Sequence, residues 1–410
     1  MKYSIARGRI SHPILVEIKD FIQSLFYPVK NEKLILRFEN LIGEQFNTAT
    51  PVFYPFARTG FFAILESLNL PKGSKILLPT ITIKQLLDVV LHFELKPILV
   101  DVDLRTGCWD TESLRIALLS QPQIALLTYL FGVVPNLEEI LPMLENNDVL
   151  IIEDFSQAFG ATFQGKFLGT LGDFGICSTS STKTFDTYGG ALVFTNDALQ
   201  LDYLKRKRSQ LTEPKRITLL KKILKNLVRN IATNKLIFNI LTFPIIILIN
   251  SRNLYQVGKY TGDRSLLPLA ELPSGWFEAP CAFQAKVGIR ELKLQSEKDQ
   301  KRIAIAERYS MELNLLGPRG KQSDISVYWQ YISIESSAIE FRDFLNRRFI
   351  DCSTTSLINL SQLKEYGLAG FYLNTKILYE NGVYLPCYHQ LTDKEQSRVI
   401  EAVRAFHEKK

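Results

Sequence analysis

Residues 151–183 read "IIEDFSQAFGATFQGKFLGTLGDFGICSTSSTK" and contain two short apolar runs that each end in polar residues. The first run ends at Glu153 and Asp154, and the second ends at Ser178, which is followed shortly by Lys183. Apolar runs of this length, bounded by glycine and polar residues, are typical of buried strands. Because the carboxyl ends of parallel strands meet at one edge of a sheet, we expect the carboxylates, the hydroxyl and the amine to lie close together.

The chain around this stretch repeats the same pattern, in which apolar runs alternate with amphipathic segments. The predicted strands cover residues 74–82, 96–103, 124–132, 148–154, 174–180 and 189–195, and the predicted helices include residues 83–93 and 135–146. Repeated β-α-β units favour a largely parallel sheet covered by helices on both faces. The sequence therefore predicts an α/β fold. A strand at 326–335 and helices at 338–349 and 392–410 predict a second, smaller α/β domain at the C-terminus.

Four residues of the opening stretch are candidates for chemistry. Lys183 either places its charge in solvent or supplies an amine with a depressed pKa. Asp154 either faces water or meets a cation such as a protonated ring nitrogen, and Gln157 could contact the same ligand. The hydroxyl of Ser178 and those that follow it could bind a phosphate. A phosphate site, a carboxylate and a lysine together describe a pocket for pyridoxal phosphate (PLP), whose aldehyde binds the lysine.

A second candidate phosphate contact is the segment Arg58-Thr59-Gly60, which precedes an amphipathic helix. Backbone N–H groups at a helix N-terminus, with a guanidinium and a hydroxyl beside them, suit a phosphate. Thr59 is also a common residue for capping a helix without any ligand. This segment alone leaves both interpretations open.

Composition excludes several classes of protein. The chain has 410 residues and a net charge of +7, but ten Lys or Arg and one acid between residues 205 and 229 account for all of the excess. A single basic segment without interleaved aromatic residues does not indicate nucleic-acid binding. Five scattered cysteines and four scattered histidines indicate neither a disulfide framework nor a metal centre. The N-terminal stretch lacks the pattern of a secretory signal, so we expect a cytoplasmic protein.

Residues 205–260 differ from their surroundings in being strongly basic and apolar. Leu220, Ile223, Leu224, Leu227 and Ile231 recur at helical spacing, with lysines on other faces, and an apolar run follows at 236–250. That run is shorter than the roughly 20 residues that span a bilayer. We expect residues 216–250 either to contact the inner face of the membrane peripherally, lying in its plane, or to pack on their own domain or a partner subunit.

The order of these motifs resembles the DegT/StrS-type sugar aminotransferases, which are PLP-dependent enzymes of fold type I. The resemblance rests on "KPILVDVDLRTGCWD", "YLFGVVPNLEEI", the opening stretch and "GGALVFTND". It resumes in "QAKVGIRELKLQSEKDQKRIAIAERY" and ends with "LPCYHQLTDKEQSRVIEAVRAF", so that it spans about 300 residues around one long insert. The family usually has an aromatic residue that stacks on the cofactor ring, and that position falls near Ile83.

The resemblance implies a role for each candidate residue. Lys183 would bind the cofactor covalently and move the proton at the substrate carbon, and Asp154 would pair with the pyridinium nitrogen. Gln157 would contact the ring-hydroxyl side. Ser178 and the turn at Arg58 and Thr59 would hold the phosphate.

The resemblance also implies the organisation and function of the whole chain. We expect a helical segment at 1–50, a PLP-binding domain at 51–204, the insert at 205–260, and connecting helices with a small domain at 261–410. The expected enzyme is a homodimer that transfers an amino group, commonly from glutamate, to a nucleotide-linked keto sugar for a polysaccharide or another amino-sugar product. The alternatives are a PLP-dependent sugar dehydratase and a non-catalytic membrane-associated protein on the same scaffold.

Overall fold

The central element of the computed structural model is a seven-stranded sheet with the strand order β1-β10-β9-β6-β5-β2-β4. The residues described are 3–251, 269–321, 323–354, 357–368 and 370–409. The sheet strands are β1 (Val52–Tyr54), β2 (Lys75–Pro79), β4 (Lys96–Val100), β5 (Ile124–Thr128), β6 (Leu150–Asp154), β9 (Phe174–Ser178) and β10 (Ala191–Phe194). The short strands between them are β3 (Ile81–Thr82), β7 (Thr162–Phe163) and β8 (Lys166–Phe167).

The five strands from β4 to β9 are parallel to one another, whereas β10 runs antiparallel to both of its neighbours, β1 and β9. All five residues of β5 are buried, as expected for a strand that helices cover on both faces. The prediction of an α/β fold with a mostly parallel sheet is therefore confirmed. The carboxyl ends of β6 and β9 lie side by side in this arrangement.

Helices pack against the sheet and connect its strands. Those up to residue 209 are α1 (Ile14–Phe26), α2 (Glu32–Phe46), α3 (Ala57–Leu68), α4 (Lys84–His92), α5 (Thr111–Leu118), α6 (Leu137–Glu145) and α7 (Ala198–Ser209). Helix α3 lies so close to β10 that a side chain at Gly60 would meet the Cγ2 atom of Val193 at 2.4 Å. Glycine at this position lets the N-terminal turn of α3 approach the sheet edge.

The C-terminal part forms a three-stranded antiparallel sheet with its own helices. The strands are β11 (Tyr331–Ile334), β12 (Ser353–Thr354) and β14 (Gly382–Leu385), while β13 (Ile358–Asn359) pairs with β3 of the large sheet region. The helices are α11 (Ala282–Glu312), α12 (Ala338–Asn346), α13 (Leu373–Asn381) and α14 (Asp393–His407). The predicted strand at 326–335 is thus shorter than expected. The domain limits given above remain a prediction.

The insert is helical, but its buried face differs from the predicted apolar stripe. It contains α8 (Arg216–Thr233), a bent segment through α9 (Lys235–Ile237) and the π-helical turn Phe238–Thr242, and then α10 (Phe243–Ser251). Helix α8 buries Leu219, Ile223, Asn226 and Asn230. Leu224 and Ile231 of the predicted stripe are exposed. Residues 252–260 of the predicted insert lie outside the described residues.

Among the described residues, no single helix is long and apolar enough to span a membrane. The bent pair Arg216–Thr233 and Lys235–Ile249, with 59° between its two parts, meets the length and composition requirement only when both parts are taken together.

Candidate active site

The candidate site lies where β6 and β9 end. Asp154 is buried at the last position of β6, and its Oδ1 atom accepts a hydrogen bond from the Ser156 backbone N–H at 3.0 Å. The Oγ atom of Ser156 accepts in turn from the backbone N–H of Ser178 at 2.8 Å. Ser156 therefore links the two strand ends, and it fixes the carboxylate beside the residue predicted to hold the phosphate.

Asp154 and Lys183 influence each other electrostatically. Burial lowers the pKa of Lys183, while Asp154 acts in the opposite direction. Burial raises the pKa of Asp154, and hydrogen bonds to Ser156 and the charge of Lys183 oppose that rise. A lysine with a lowered pKa holds more of its amine neutral, which is the form that attacks an aldehyde. A buried carboxylate gains from a cation, which a protonated ring nitrogen would provide.

Lys183 lies in the loop of residues 179–190 between β9 and β10, which we call the lysine loop. The backbone of this loop is constrained. Thr182 and Tyr188 have φ angles of 81° and 60°, in the left-handed region that residues other than glycine seldom occupy. Two contacts stabilise this loop from outside. The indole Nε1 of Trp329 donates to the carbonyl of Thr182 at 2.7 Å, and Phe185 stacks on Phe159 with ring centroids 4.4 Å apart.

Trp329 is a site residue that the sequence analysis missed. The Nζ atom of Lys183 lies 4.3 Å from the centroid of the Trp329 ring. In the sequence, Trp329 falls within the predicted strand at 326–335, and no local pattern in that segment connects it with Lys183. Ile83, the position of the expected stacking aromatic, is instead an exposed residue at the start of α4.

Gln157 is buried beside Asp154, and part of its hydrogen-bonding capacity is already used. Its Oε1 atom accepts from the backbone N–H of Phe131 at 2.7 Å. With the oxygen fixed in this way, the amide –NH₂ group is what Gln157 can offer to a ligand.

Arg58 and Thr59 lie in the first turn of α3, next to the row formed by Tyr54, Ala191 and Ser178 across three strands. The Arg58 guanidinium stacks on Phe56 and Trp276, with 4.1 Å and 4.5 Å to the ring centroids. The Thr59 hydroxyl donates to the Trp276 carbonyl at 2.6 Å. The hydroxyl proton of Thr59 is therefore engaged within the protein, and the phosphate role of both residues remains a prediction.

Glu153, the neighbour of Asp154, is fully engaged on the opposite side of the strand. Its two oxygens accept from the Tyr129 hydroxyl at 2.6 Å and from three backbone N–H groups at 2.6 to 2.8 Å, those of Gly169, Leu171 and Gly172. Burial raises the pKa of Glu153, and these four hydrogen bonds oppose that rise. Glu153 therefore organises the loop before β9 and does not face the candidate site.

A buried polar network supports the far end of the lysine loop. Asp186 lies 3.4 Å from His12 Nε2 and accepts from the Asn226 side chain at 3.2 Å. The other ring nitrogen of His12 lies 3.1 Å from the carboxylate of Glu291. Although burial alone would lower it, these two carboxylates raise the pKa of His12 to about 9. The network joins the N-terminal segment, the insert and α11 to the lysine loop.

These residues fit a PLP cofactor in their chemistry. Lys183 provides an amine with a lowered pKa, Asp154 a buried carboxylate that gains from a cation, and Ser178 a hydroxyl beside them. Gly189 and Gly190 follow the loop with φ angles of 101° and 124°, and a side chain at Gly190 would meet the Phe53 ring at 2.5 Å. The bound cofactor would supply an electron sink for a substrate carbon.

Comparisons with known proteins agree with this fold. Over 98% of this chain and 99% of the other, the structure superposes on the sugar aminotransferase CalS13 from Micromonospora echinospora with a TM-score of 0.73 and 17% identity. A protein from Streptococcus pneumoniae, solved in PLP and PMP forms, gives TM-scores of 0.70 and 0.69 at 19% and 18% identity, covering 100% of this chain and 99% of that one. The fold is that of the fold type I PLP-dependent transferases.

Sequence comparison gives the family. Residues 28–216 and 281–404 match the model of the DegT/DnrJ/EryC1/StrS aminotransferase family. These residues make up more than half of the chain. The chain belongs to this family, whose members use PLP, and the resemblance drawn from the motifs is confirmed. A GDP-perosamine synthase from Escherichia coli O157:H7 is 26% identical over 168 residues, or 41% of this chain and 46% of the relative. The chain thus spans about half the length of the first curated relatives it matches.

Proposed function

We propose that the protein is a PLP-dependent aminotransferase that transfers an amino group from glutamate to a nucleotide-linked keto sugar. The observation that carries the proposal is that Lys183, whose pKa burial lowers, and the buried carboxylate of Asp154 lie within electrostatic reach of each other where β6 and β9 end. Lys183 would hold the cofactor and move the proton at the substrate carbon. Asp154 would keep the ring nitrogen protonated, with Gln157 on the ring-hydroxyl side and Ser178, Arg58 and Thr59 at the phosphate.

The substrate class is supported by the family and by the name of the perosamine synthase relative. A role in the synthesis of a polysaccharide or another amino-sugar product follows from that class. We further propose a homodimer, as the family resemblance implies, and a cytoplasmic location, as the cysteines and the N-terminal stretch indicate. Residues 216–250 would be in peripheral contact with the inner face of the membrane.

The direct test is the visible absorbance of the lysine-bound cofactor in the purified protein. Lys183→Ala should abolish this absorbance, because the variant lacks the amine that would bind the cofactor aldehyde. The matched control is Lys166→Ala, which removes an exposed lysine of β8 and should leave the absorbance unchanged. A wild-type protein that stays colourless with added PLP would contradict the enzyme proposal.

The retained lysine favours transamination over the dehydratase alternative, because deoxysugar dehydratases of this kind often replace it. Addition of glutamate alone should convert the coloured form to the amine form, and a nucleotide-linked keto sugar should restore the colour. If no amino acid donor changes the spectrum, transamination is excluded, and the dehydratase becomes the favoured hypothesis.

A further inference from the structure

Helices α1 and α8 pack side by side, and acidic and amide side chains are buried between them. Glu17 on α1 accepts from Asn226 and Asn230 on α8 at 2.7 Å and 2.9 Å, and all three side chains are buried. Asp20 on α1 is also buried, and it accepts from the Tyr188 hydroxyl at 2.9 Å. Both helices are therefore anchored to the same buried network through their polar faces.

The opposite faces of the two helices are apolar and exposed. On α8 the exposed side chains recur at intervals of seven, four and three residues, which places them on one stripe: Ile217, Leu224, Val228 and Ile231. On α1 the corresponding stripe consists of Leu15, Ile18, Ile22 and Phe26. Leu15 and Phe26 are 80% and 83% exposed. An ordinary surface helix buries its apolar residues, so an exposed apolar stripe on each of these two helices is unusual.

The exposed apolar surface continues beyond α8. The chain bends by 59° after Thr233. In the segment that follows, seven large apolar side chains are exposed: Leu236, Ile237, Ile240, Leu241, Ile245, Leu248 and Ile249. We call the exposed stripes of α1 and α8, together with these seven side chains, the outer face. Contiguous apolar surface of this kind marks an interaction site.

Charge distinguishes between the possible occupants of the outer face. Residues 214–251 contain seven Lys or Arg and no Asp or Glu. Lys221 and Lys225 lie exposed next to the α8 stripe, and Lys19 is exposed on α1, whereas the acids Glu17 and Asp20 are buried. A symmetric contact with a second copy would bring these like charges together. An anionic lipid surface complements both the apolar stripes and the lysines beside them.

We propose that α1, α8 and the segment through α10 form one docking face that lies in the plane of an anionic membrane. The proposal extends the peripheral contact of residues 216–250 to the N-terminal helix, and it does not depend on the aminotransferase reaction. Apolar side chains enter the interface while the lysines remain at the headgroups. Because the same two helices hold the network beneath the lysine loop, the docked enzyme keeps its candidate site on the side of the helices away from the lipid.

The test is co-sedimentation of the full-length protein with vesicles of phosphatidylcholine alone or mixed with phosphatidylglycerol. We expect binding to the mixed vesicles, and at least about a tenfold loss of binding for Val228→Asp with Ile231→Asp and for Leu15→Asp with Phe26→Asp. Lys221→Gln with Lys225→Gln should weaken binding by about fivefold per lysine on the mixed vesicles only. The matched control is Leu119→Asp with Leu199→Asp, two side chains that are 81% and 82% exposed outside the outer face.

Each result decides the proposal. Loss of binding in both pairs of Asp variants, with the control unchanged, supports a shared face. Loss in the α8 variant alone overturns the role of α1 and leaves the contact of residues 216–250 standing. Wild-type protein that ignores both vesicles overturns the proposal, and analytical ultracentrifugation of the variants then shows whether a second copy covers the face. Circular dichroism and cofactor absorbance, recorded on the same samples, separate these results from misfolding and from failure of the enzyme proposal.

Discussion

Glu153 and Asp154 are adjacent on β6, and both are buried, yet their surroundings differ completely. Consecutive residues of a strand point to opposite faces, so one carboxylate faces the loop before β9 and the other faces the lysine. Glu153 receives four hydrogen bonds from the protein, whereas the structure gives Asp154 hydrogen bonds from Ser156 and the charge of Lys183. The comparison shows that burial alone does not identify a functional carboxylate. A buried carboxylate is a candidate for function when the protein itself supplies few hydrogen-bond donors to it.

The largest expected effect comes from Asp154→Asn. The amide has nearly the same shape but cannot hold a proton on the ring nitrogen by its charge. We expect the rate at which an amino donor converts the bound cofactor to fall by about a hundredfold or more, as when other preorganised electrostatic contacts are removed. Single-turnover absorbance measures this rate. A rate near that of the wild type would show that the charge of Asp154 does not contribute to the reaction.

Glu153→Gln tests the other side of the comparison through stability. The amide –NH₂ group faces hydrogen-bond donors, so at least one buried N–H group loses its acceptor. We expect the free energy of unfolding to fall by about 3 kcal/mol. Urea unfolding of the cofactor-free protein measures this change, with Asp154→Asn as the control that changes stability much less. Equal stability of the two variants would show that the hydrogen bonds to Glu153 do not set it apart from Asp154 in stabilising the fold.

A third buried carboxylate, Asp186, accepts from the backbone N–H of Tyr188 at 2.7 Å and also has a titratable partner, His12. The pKa of His12 is about 9 in the folded protein against an ordinary value of 6.5. The stabilisation from His12 is therefore fully present below pH 6.5 and is lost as the pH rises through about 9. It amounts to up to about 3 kcal/mol.

His12→Gln isolates this contribution. Glu17 lies in the same network, and its pKa is raised to about 7, chiefly by burial, so it acts in a lower pH window. The difference in unfolding free energy between wild type and variant should shrink steadily from pH 6.5 to pH 9. A difference independent of pH would show that His12 is neutral in the folded protein.

The smallest expected effect belongs to Trp329, which connects the C-terminal part with the lysine loop. Trp329→Phe keeps an aromatic ring over Lys183 but removes the hydrogen bond to Thr182, at a cost of about 1 kcal/mol. We expect PLP affinity, measured by equilibrium dialysis, to fall by about fivefold. Trp329→Leu removes the ring as well and should weaken binding further, and equal affinity of both variants would show that the ring contributes nothing.

The parts of the structure that sequence could predict depend on local pattern. The strands follow from apolar runs, and the meeting of Asp154, Ser178 and Lys183 follows from the rule that parallel strands end at one edge. The role of Trp329 depends on how the second sheet is placed against the first, which no local pattern determines. The saturation of Glu153 could not be predicted either, because three of its four donors are backbone N–H groups.

The insert is a second case in which local sequence pattern predicted an element but not its orientation. Helical periodicity predicted α8, but the helix is oriented by Asn226 and Asn230, whose partner Glu17 lies more than 200 positions away in sequence. An apolar stripe read from the sequence therefore did not tell which of its residues would be buried.

The network around His12 also bears on how the protein is made. Asp186 is held by residues of the N-terminal segment and of α8, and His12 itself contacts Glu291, 279 positions later in the chain. During synthesis the lysine loop emerges well before α11, so the network around its one acid, Asp186, stays incomplete until Glu291 has left the ribosome. Contacts of such long sequence separation form slowly, and we expect the nascent chain to need protection during that interval.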